Sequence, residues 1–456
     1  MNAPMIRTFT ILCALTLGLA LPSAARAQTT PAAPPPRLAL TLEDAVARGL
    51  TSNLAVRVEA EKVHAAEGSR ERSLSALRPH FSANFGAINQ TASTAAFGFT
   101  AFPGIPTILG PFSVLDARVA MSLSIFDATA HGDVSANNAL VQSEQHSYRN
   151  TRELVILTVA DLYLEALADA SRVDAAKAQV ATAEALATLA SDQKAAGVVA
   201  GIDVVRQQVQ VQAARQRLLV AQNAFDKLKL RLGRAIGLSA DQPIDLSDHI
   251  SYLAAPVVSP SDALALALSS RDDLRAAEAK VDAARASQKS ASGGNLPSLH
   301  FDGNYGAIGA TPSSLDGTYF VGATVHVPIF DGGSTRGKTQ QATAEVKQRE
   351  AELADLRLGI SFEIAAALLD LSTATAAVDV AKSAQDLAGQ ELTQAQDRFQ
   401  AGLASSIELA HAQEAVASAS DSYIGSVYAH NLAKGALARA MGVVEERLTE
   451  FLGGRR

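Results

Sequence analysis

The segment from Ile360 to Phe399 constrains the fold more than any other part of the chain, because two interleaved rows of apolar residues each repeat every seven positions. The first row is Ile364, Leu371, Val378, Gln385, Leu392 and Phe399, and the second is Ile360, Ala367, Ala374, Ala381, Ala388 and Ala395. This pattern predicts a helix that packs against a partner helix along its length, with large side chains entering shallow holes between alanines. A helix from Ser334 to Gln400 would measure about 100 Å, whereas helices of compact domains average about 11–12 residues.

A second helix is predicted directly after the first. Gly402 suits the left-handed conformation that ends a helix, and Ser405 with Glu408 has the spacing of a capping box. The return helix carries its own heptad rows, which are Leu409, Val416, Tyr423, His430 and Leu437 alternating with Ala412, Ala419, Ser426, Ala433 and Ala440. Residues 334–441 are therefore predicted to form one long antiparallel hairpin with its tip near Gly402.

The N-terminal residues indicate export. Arg7, the apolar stretch from Thr8 to Leu21 and the Ala25-Arg26-Ala27 site form a predicted signal peptide over residues 1–27. The one cysteine, Cys13, lies inside it, so no disulfide, cysteine nucleophile or lipid-anchor cysteine is expected in the exported chain. Removing the signal changes the formal charge from −7 to −9, which argues against nucleic acid as a partner. No later run of about 18 apolar residues is present, so we predict no transmembrane helix.

The exported chain is predicted to be a tandem repeat. Asp44 and Asp262 stand 218 residues apart in matching contexts, and the tips at Gly197 and Gly402 stand 205 apart. The predicted divisions are the signal at 1–27, a flexible segment at 28–37, repeat one at 38–240, a linker or equatorial segment at 241–260, repeat two at 261–442 and a tail at 443–456. Each repeat is expected to hold a helix, two strands and a long helical hairpin.

Four predicted strands, at 79–88, 113–126, 297–307 and 318–330, alternate apolar and polar residues. Their length is close to the about 9–11 residues of a tilted membrane-crossing strand, and the alternation suits lipid on one face and water on the other. The predicted pore-lining residues are Arg118, Ser122, His300, Asp302, Asn304 and His326. Four strands cannot close a barrel, so their edges must meet other copies. Three copies would give twelve strands, but the periodicity alone does not require three.

Several segments carry a family resemblance. They are Leu296-Pro297-Ser298-Leu299, Pro328-Ile329-Phe330-Asp331-Gly332-Gly333, Ala196-Gly197-Val198 and Ala401-Gly402-Leu403. In this order and in duplicate they resemble the TolC-like outer-membrane efflux proteins. The resemblance implies a mostly α-helical fold class with a membrane β-barrel: a homotrimer whose twelve-stranded barrel continues into a periplasmic α-barrel. It also implies an outer-membrane channel for multidrug efflux or type I secretion, with an adaptor protein and an inner-membrane transporter as partners.

The resemblance also suggests site residues. Glu408 and His411 match the positions that ring the closed periplasmic entrance, and His411 replaces the usual acid; their first-repeat equivalents are Asp203 and Arg206. A histidine there could make the charge of the ring respond to pH near neutrality. The predicted adaptor-docking residues are Gly197, Val198, Gly402 and Leu403. The plainer alternative is that these are ordinary first-turn and C-cap residues.

No enzymatic activity, cofactor or metal is predicted. A P-loop spacing does occur, formed by Gly332, Gly337, Lys338 and Thr339. The strand before it alternates and carries Pro328, whereas a P-loop follows a buried strand of a parallel sheet. The sequence leaves two alternatives to the channel: a soluble periplasmic coiled-coil scaffold or adaptor, and a P-loop ATPase as the remote alternative.

Overall fold

A computed structural model of the chain describes residues 37–98 and 106–452. The predicted signal peptide and residues 28–36 of the predicted flexible segment lie outside this range. The helices are α1 (Leu42–Ser52), α2 (Leu54–Ser75), α3 (Ala128–Ala195), α4 (Gly201–Ala235), α5 (Pro260–Ser270), α6 (Asp272–Gly293), α7 (Ser334–Gln400), α8 (Ser406–Ala440) and α9 (Val444–Leu452), with a short 3-10 helix at Thr94–Phe97. The strands are β1 (Leu38–Leu40), β2 (His80–Ser93), β3 (Ile108–Phe126), β4 (Ile244–Leu246), β5 (Ser298–Gly309) and β6 (Asp316–His326).

Four strands form one antiparallel sheet in the order β2-β3-β5-β6. The prediction of four strands is confirmed, but their bounds need correction. The first hairpin is longer than the predicted 79–88 and 113–126, since β2 continues to Ser93 and pairs with Ile108. The last strand ends at His326 rather than 330, because Pro328 has no N–H to donate to a neighbouring strand.

The helical hairpin α7–α8 follows the predicted heptad rows. Ile364, Leu371, Val378 and Phe399 are buried on one row, and most of the alanines on the other row are buried as well. The helix ends where predicted, with Gly402 at φ 73°, and the Ser405 hydroxyl accepts a hydrogen bond from the Glu408 N–H at 3.4 Å. The hairpin α3–α4 turns at Gly197 with φ 75°. Both tips thus adopt the left-handed conformation that favours glycine.

An aspartate precedes each of the two long helices that follow a strand of the sheet. Asp127 accepts hydrogen bonds from the N–H groups of Thr129 and Ala130 at 2.9 and 3.1 Å, and so caps α3. Asp331 accepts from the N–H groups of Gly333 and Thr335 at 2.9 and 2.6 Å. Each carboxylate satisfies backbone donors that a helix start leaves unpaired. A hydrogen bond with the Thr335 side chain, together with these backbone bonds, lowers the pKa of Asp331 to about 2.

The short elements pack beside the middle of the long helices. β1 pairs in parallel with β4, and the largest apolar core joins these strands and the helices α1, α5 and α9 to α3, α7 and α8. Two segments predicted only as connections contain regular structure. The linker at 241–260 contributes β4, and the tail at 443–456 holds α9, which buries Val444 and Phe451. Burial of these two side chains anchors α9 to the core.

One helix, α7, is long and apolar enough to cross a membrane by length and composition alone, with a window of mean hydropathy 1.5. This differs from the expectation that no such segment follows the signal. Only 28% of that window is buried. The reason is that α7 carries apolar residues on two faces: the seam against α8, and an exposed stripe that includes Phe362, Leu369 and Val380.

Candidate functional site

The two faces of the sheet differ in chemistry. Strand register places the odd-numbered residues of β2, β3, β5 and β6 on one face, and across most of the sheet these are apolar. The outward aromatic side chains include Phe85, Tyr305 and Tyr319, and Phe85 and Tyr319 are 83% and 79% exposed. Large apolar side chains in a continuous exposed sheet would be unfavourable in water, at about 25 cal/mol per Å². This face is therefore suited to lipid.

The other face collects all six predicted pore-lining residues. Ser122 of β3 stands opposite Asp302 of β5, and Arg118 stands opposite Gly306. His300, Asn304 and His326 have the same parity in the paired register of β5 and β6, so they share this face with Ser122 and Arg118. The structure thus brings the six residues to one surface. Their contact with a water-filled pore remains a prediction.

The position of Arg118 depends on two neighbours that the sequence analysis did not single out. Its Nε lies 2.6 Å from Asp116 Oδ1 in an ion pair. Its side chain crosses Gly306, where an added Cβ would stand 2.7 Å from Arg118 Cγ. The glycine signal was present in the β5 pattern, but a cross-strand neighbour cannot be assigned before the register is known.

The two faces exchange character near the far end of the β2–β3 hairpin. Ala87 and Leu115 are opposite each other on the apolar face, but the next pair on that face, Asn89 and Ser113, is polar and joined by a hydrogen bond of 3.0 Å. On the opposite face Ile88 stands against Val114. The apolar band therefore ends at this height, as expected where a strand leaves lipid.

The predicted gate residues lie at the hairpin tips. Glu408 is paired with Arg398 at 3.0 Å, across the turn between α7 and α8. Asp203 pairs with Arg206 at 3.2 Å and also accepts a hydrogen bond from the Ser406 hydroxyl, which links the first hairpin to the second. Arg398 and Ser406 were not predicted. His411 is exposed and makes no hydrogen bond or ion pair within residues 37–98 and 106–452.

The predicted docking residues also meet at the tips. An added Cβ on Gly402 would lie 3.6 Å from Val198 Cγ1, so the two turns are neighbours. Val198 and Leu403 are both largely exposed. Two apolar side chains at adjacent tight turns form a surface that a partner could cover, and they also fit simple helix-end geometry.

The P-loop spacing does not coincide with a P-loop. The preceding strand, β6, is an antiparallel edge strand of the described sheet, and not part of a buried parallel sheet. Asp331 caps this helix start from within the chain. In the described part of the chain, no group of three or more His, Cys, Asp or Glu residues is placed to hold a metal ion.

Comparison with known proteins identifies the family. The model of the outer membrane efflux protein family matches residues 47–238 and 263–443. The chain belongs to the outer membrane efflux protein family. Members of this family are channel proteins rather than enzymes, and its assignment places the protein in the outer membrane with a large helical part in the periplasm. It favours the channel hypothesis over the soluble scaffold and the ATPase.

The chain is similar to proteins that include a named export protein and a probable efflux pump protein. The chain is 28% identical over 278 residues to the pyoverdine export outer membrane protein OpmQ of Pseudomonas putida, covering 58% of this chain and 56% of OpmQ. It is 25% identical over 443 residues to protein CyaE of Bordetella pertussis, covering 92% and 89% of the two chains. The matches span 56% of OpmQ and 61% of the probable efflux pump protein SepC of Pseudomonas putida.

Several solved structures share the fold of this chain. The outer membrane protein VceC of Vibrio cholerae superposes with a TM-score of 0.76 at 17% identity, over 88% of this chain and 96% of VceC. A membrane protein from Pseudomonas aeruginosa gives a TM-score of 0.79 at 19% identity, over 88% of this chain and 93% of that protein. The MtrE channel of Neisseria gonorrhoeae, in its open state, gives 0.73 at 16% identity, over 88% and 89%.

Proposed function

We propose that the protein is the passive outer-membrane duct of an efflux or type I secretion system, formed by three copies whose sheets close one twelve-stranded barrel. The observation that supports this most is the four-stranded sheet, which has one apolar face, one polar face and two unpaired edges at β2 and β6. An open edge in lipid costs several kcal/mol for each unsatisfied backbone group, so the edges require partners. Twelve strands are enough to enclose a water-filled lumen.

The long helices support the same assembly. In one chain α3 packs against α4 and α8, and α8 packs against α7, so α4 and α7 stand at the two flanks. The flank of α7 exposes Phe362, at 74%, and Leu369, and the flank of α4 exposes Leu219. We infer that α7 of one copy packs against α4 of the next and buries both stripes. This contact would continue the barrel into a helical duct.

The order of the elements supports the predicted tandem repeat. Two strands, a long helix of 67 or 68 residues and a return helix of 35 residues occur twice in the same order. We infer that the two halves arose as a duplicated unit, so that three chains supply six similar hairpins to the duct. The family model supports this, because it matches one segment in each half.

We infer that the gate lies at the hairpin tips. The hydrogen bond from Ser406 to Asp203 joins the first and second hairpins, and the Arg398–Glu408 pair holds the second turn. Opening would separate the hairpins and break the first of these contacts. An adaptor protein that covers Val198 and Leu403 could bias this movement, while an inner-membrane transporter delivers the substrate. The relatives OpmQ and SepC are named as an export protein and a probable efflux pump protein, which supports a role in export for this chain.

Conductance tests the proposal directly. The purified protein, added to a planar lipid bilayer, should give discrete current steps, and an unboiled gel should show a species three times the mass of the monomer. Absence of any pore across a range of pH would contradict the duct.

A matched pair of substitutions tests the assignment of the two sheet faces. Val119 and Ala120 are neighbours on β3 and point to opposite faces. Val119→Lys should reduce membrane assembly strongly, because a lysine facing lipid near mid-depth costs about 2–4 kcal/mol. Ala120→Lys should assemble normally and change the conductance. The reverse result would exchange the lipid and pore faces.

A further inference from the structure

A groove lies between the end of α6 and the first turns of α7, close to where the sheet meets the helices. Its volume is about 710 Å³. Its lining is polar or basic almost throughout, and consists of Ser292, Asn295, Arg336, Thr339, Gln340, Thr343, Ala344 and Lys347. No acidic side chain lines it. The groove thus presents two cationic groups and two side-chain amides to one space.

The two cations of the groove have no acidic partner. Within the described residues, neither Arg336 nor Lys347 makes an ion pair, whereas the next arginines along α7 are both paired. Arg349 contacts Glu345 at 2.8 Å, and Arg357 contacts Glu278 at 2.7 Å. Asp331, at the start of the helix, is held by backbone N–H groups. Both cations are therefore available to an external anion.

The donors that remain in the groove suit a carboxylate or phosphate. The Thr339 and Thr343 hydroxyls donate to backbone carbonyls at 2.8 and 2.7 Å, so they are occupied. The Arg336 guanidinium, the Lys347 ammonium and the amides of Asn295 and Gln340 are left to bind. Arginine binds a carboxylate through two parallel hydrogen bonds, and Lys347, about 16 Å further along the helix axis, supplies a second positive charge to the same groove.

The face of α7 that carries the groove is opposite to the face that meets the short elements. Leu356 packs against the core that contains α5 and α9, and it lies nine residues from Lys347, or about 180° around the helix. Glu363, which pairs with Arg271 beside α5, lies about 160° from Lys347. The short elements would fill a duct if they faced inward, so they lie outside it. The groove then faces the lumen.

We propose that this groove is a lumenal binding site for organic anions, which holds carboxylate or phosphate groups of solutes as they pass from the helical duct into the barrel. The inference rests on the proposed duct, because the groove faces a lumen only in the assembled protein. The groove lies near the end of the sheet, since β6 ends at His326, on the predicted pore face, and α7 begins eight residues later at Ser334. Acidic residues stand at the other end of that face, where Asp116 and Asp316 occupy one cross-strand row with Ile308 between them.

Citrate, a compact organic trianion, is the probe. Added to a bilayer that holds wild-type pores in potassium chloride, citrate should reduce the current in a saturable manner. In Arg336→Gln and in Lys347→Gln the half-blocking concentration should rise about tenfold, as expected for loss of a charge-assisted contact. The conservative variant Arg336→Lys should retain more of the block than Arg336→Gln.

Lys338 provides the matched control. It is also an exposed cation of the first turns of α7, but it lies about 200° from Arg336 and about 180° from Lys347, and it does not line the groove. Lys338→Gln should leave the citrate block unchanged. Equal loss of block in Lys338→Gln would overturn the site, because the overall positive potential of these turns would then explain the citrate block.

Two further outcomes separate this site from the duct itself. Wild-type pores that conduct normally and ignore citrate would overturn the anion site and leave the duct intact; acids of a neighbouring copy would then be the partners of Arg336 and Lys347. If no pore forms at all, it is the proposed duct that fails, and the site fails with it. The wild-type measurement decides the question even if a variant does not assemble.

Discussion

In each half of the chain, a side chain donates a hydrogen bond to the last carbonyl of the return helix, but the two donors differ in chemistry. In the first half, Asn53 Nδ2 donates to the carbonyl of Ala235 at 3.2 Å, where α4 ends beside the α1–α2 corner. In the second half, Arg271 Nη1 donates to the carbonyl of Ala440 at 3.3 Å, where α8 ends beside the α5–α6 corner. We call these contacts the first junction and the second junction. One uses a neutral amide, and the other uses a charge that is 3% exposed.

The buried charge of the second junction requires a network that the first does not. Arg271 pairs with Asp273 at 2.6 Å and also with Glu363. Arg439 lies 3.6 Å from Asp273 and 3.3 Å from Glu153, which joins α3 to the same cluster. A buried ion is tolerated only when its partners are in place. Equivalent backbone contacts in the two halves can therefore differ greatly in how they respond to mutation and to pH.

The largest expected effect comes from removing the buried cation. Arg271→Met leaves Asp273 with only its longer contact to Arg439 and should destabilise the protein by about 3–5 kcal/mol. Asn53→Ala removes a neutral hydrogen bond and the cap that Asn53 provides to the Ala55 N–H, and should cost about 1–2 kcal/mol. Melting followed by far-ultraviolet circular dichroism should give the lower Tm for Arg271→Met. Equal losses at the two junctions would show that the charge is not decisive.

The second prediction concerns Glu153, which is 6% exposed. Burial raises the pKa of this carboxyl from 4.5 to about 7, against the opposing pull of Arg439. A raised pKa means that the folded protein binds the proton more tightly than the unfolded chain. The stability that protonated Glu153 provides is therefore full below pH 4.5 and is lost as the pH rises to about 7. Glu153→Gln should remove this pH dependence and raise Tm above pH 7, with a gain in the free energy of unfolding of about 3 kcal/mol at most.

The matched control for this prediction is the first junction. Arg234 occupies the position equivalent to Arg439 but is exposed. Glu153→Gln should therefore change the pH profile of Tm, whereas Arg234→Gln should leave it as in the wild type. An unchanged profile in Glu153→Gln would show that Glu153 stays ionised throughout, held by Arg439.

These junctions also show what the sequence could and could not reveal. The heptad rows of 360–399, the tips at Gly197 and Gly402 and the strand alternation rest on local periodicity, and they were all predictable. Asn53 and Arg271 gave no such signal. Their partners, Ala235 and Ala440, lie 182 and 169 residues away. Such contacts become visible only after the long helices have been placed side by side.

The candidate site divides in the same way. Parity alone placed Arg118, Ser122 and His300 on the polar face, because side chains alternate along a strand. The contacts of Arg118 with Asp116 and Gly306 depend on the register between strands, which a single sequence does not contain. At the tips, the pairing of Glu408 with Arg398 was missed because it joins two helices across a turn.

The third prediction compares the glycines of the two junctions. Gly237 and Gly442 have φ of 74° and 70°, so an alanine at either position is strained. An added Cβ at Gly442 would stand 2.9 Å from Arg271 Cα, a backbone atom, and one at Gly237 would stand 2.5 Å from Ser52 Cβ. Each alanine variant should cost about 1–3 kcal/mol. In Gly442→Ala the displaced Arg271 should add to the loss, so its Tm should be the lower of the two.

The smallest effect on stability is expected at the tips, where the two halves differ again. Glu408 pairs with Arg398 inside its own hairpin, whereas Asp203 reaches Ser406 of the other hairpin. Glu408→Gln removes an exposed pair worth about 0–1 kcal/mol, so Tm should hardly change. Ser406→Ala removes one of the hydrogen bonds between the hairpins, and single-channel recordings should show a higher open probability for Ser406→Ala than for Glu408→Gln. The opposite order would mean that the Arg398–Glu408 pair at the turn of the second hairpin, and not the Ser406–Asp203 bond, restrains the closed state.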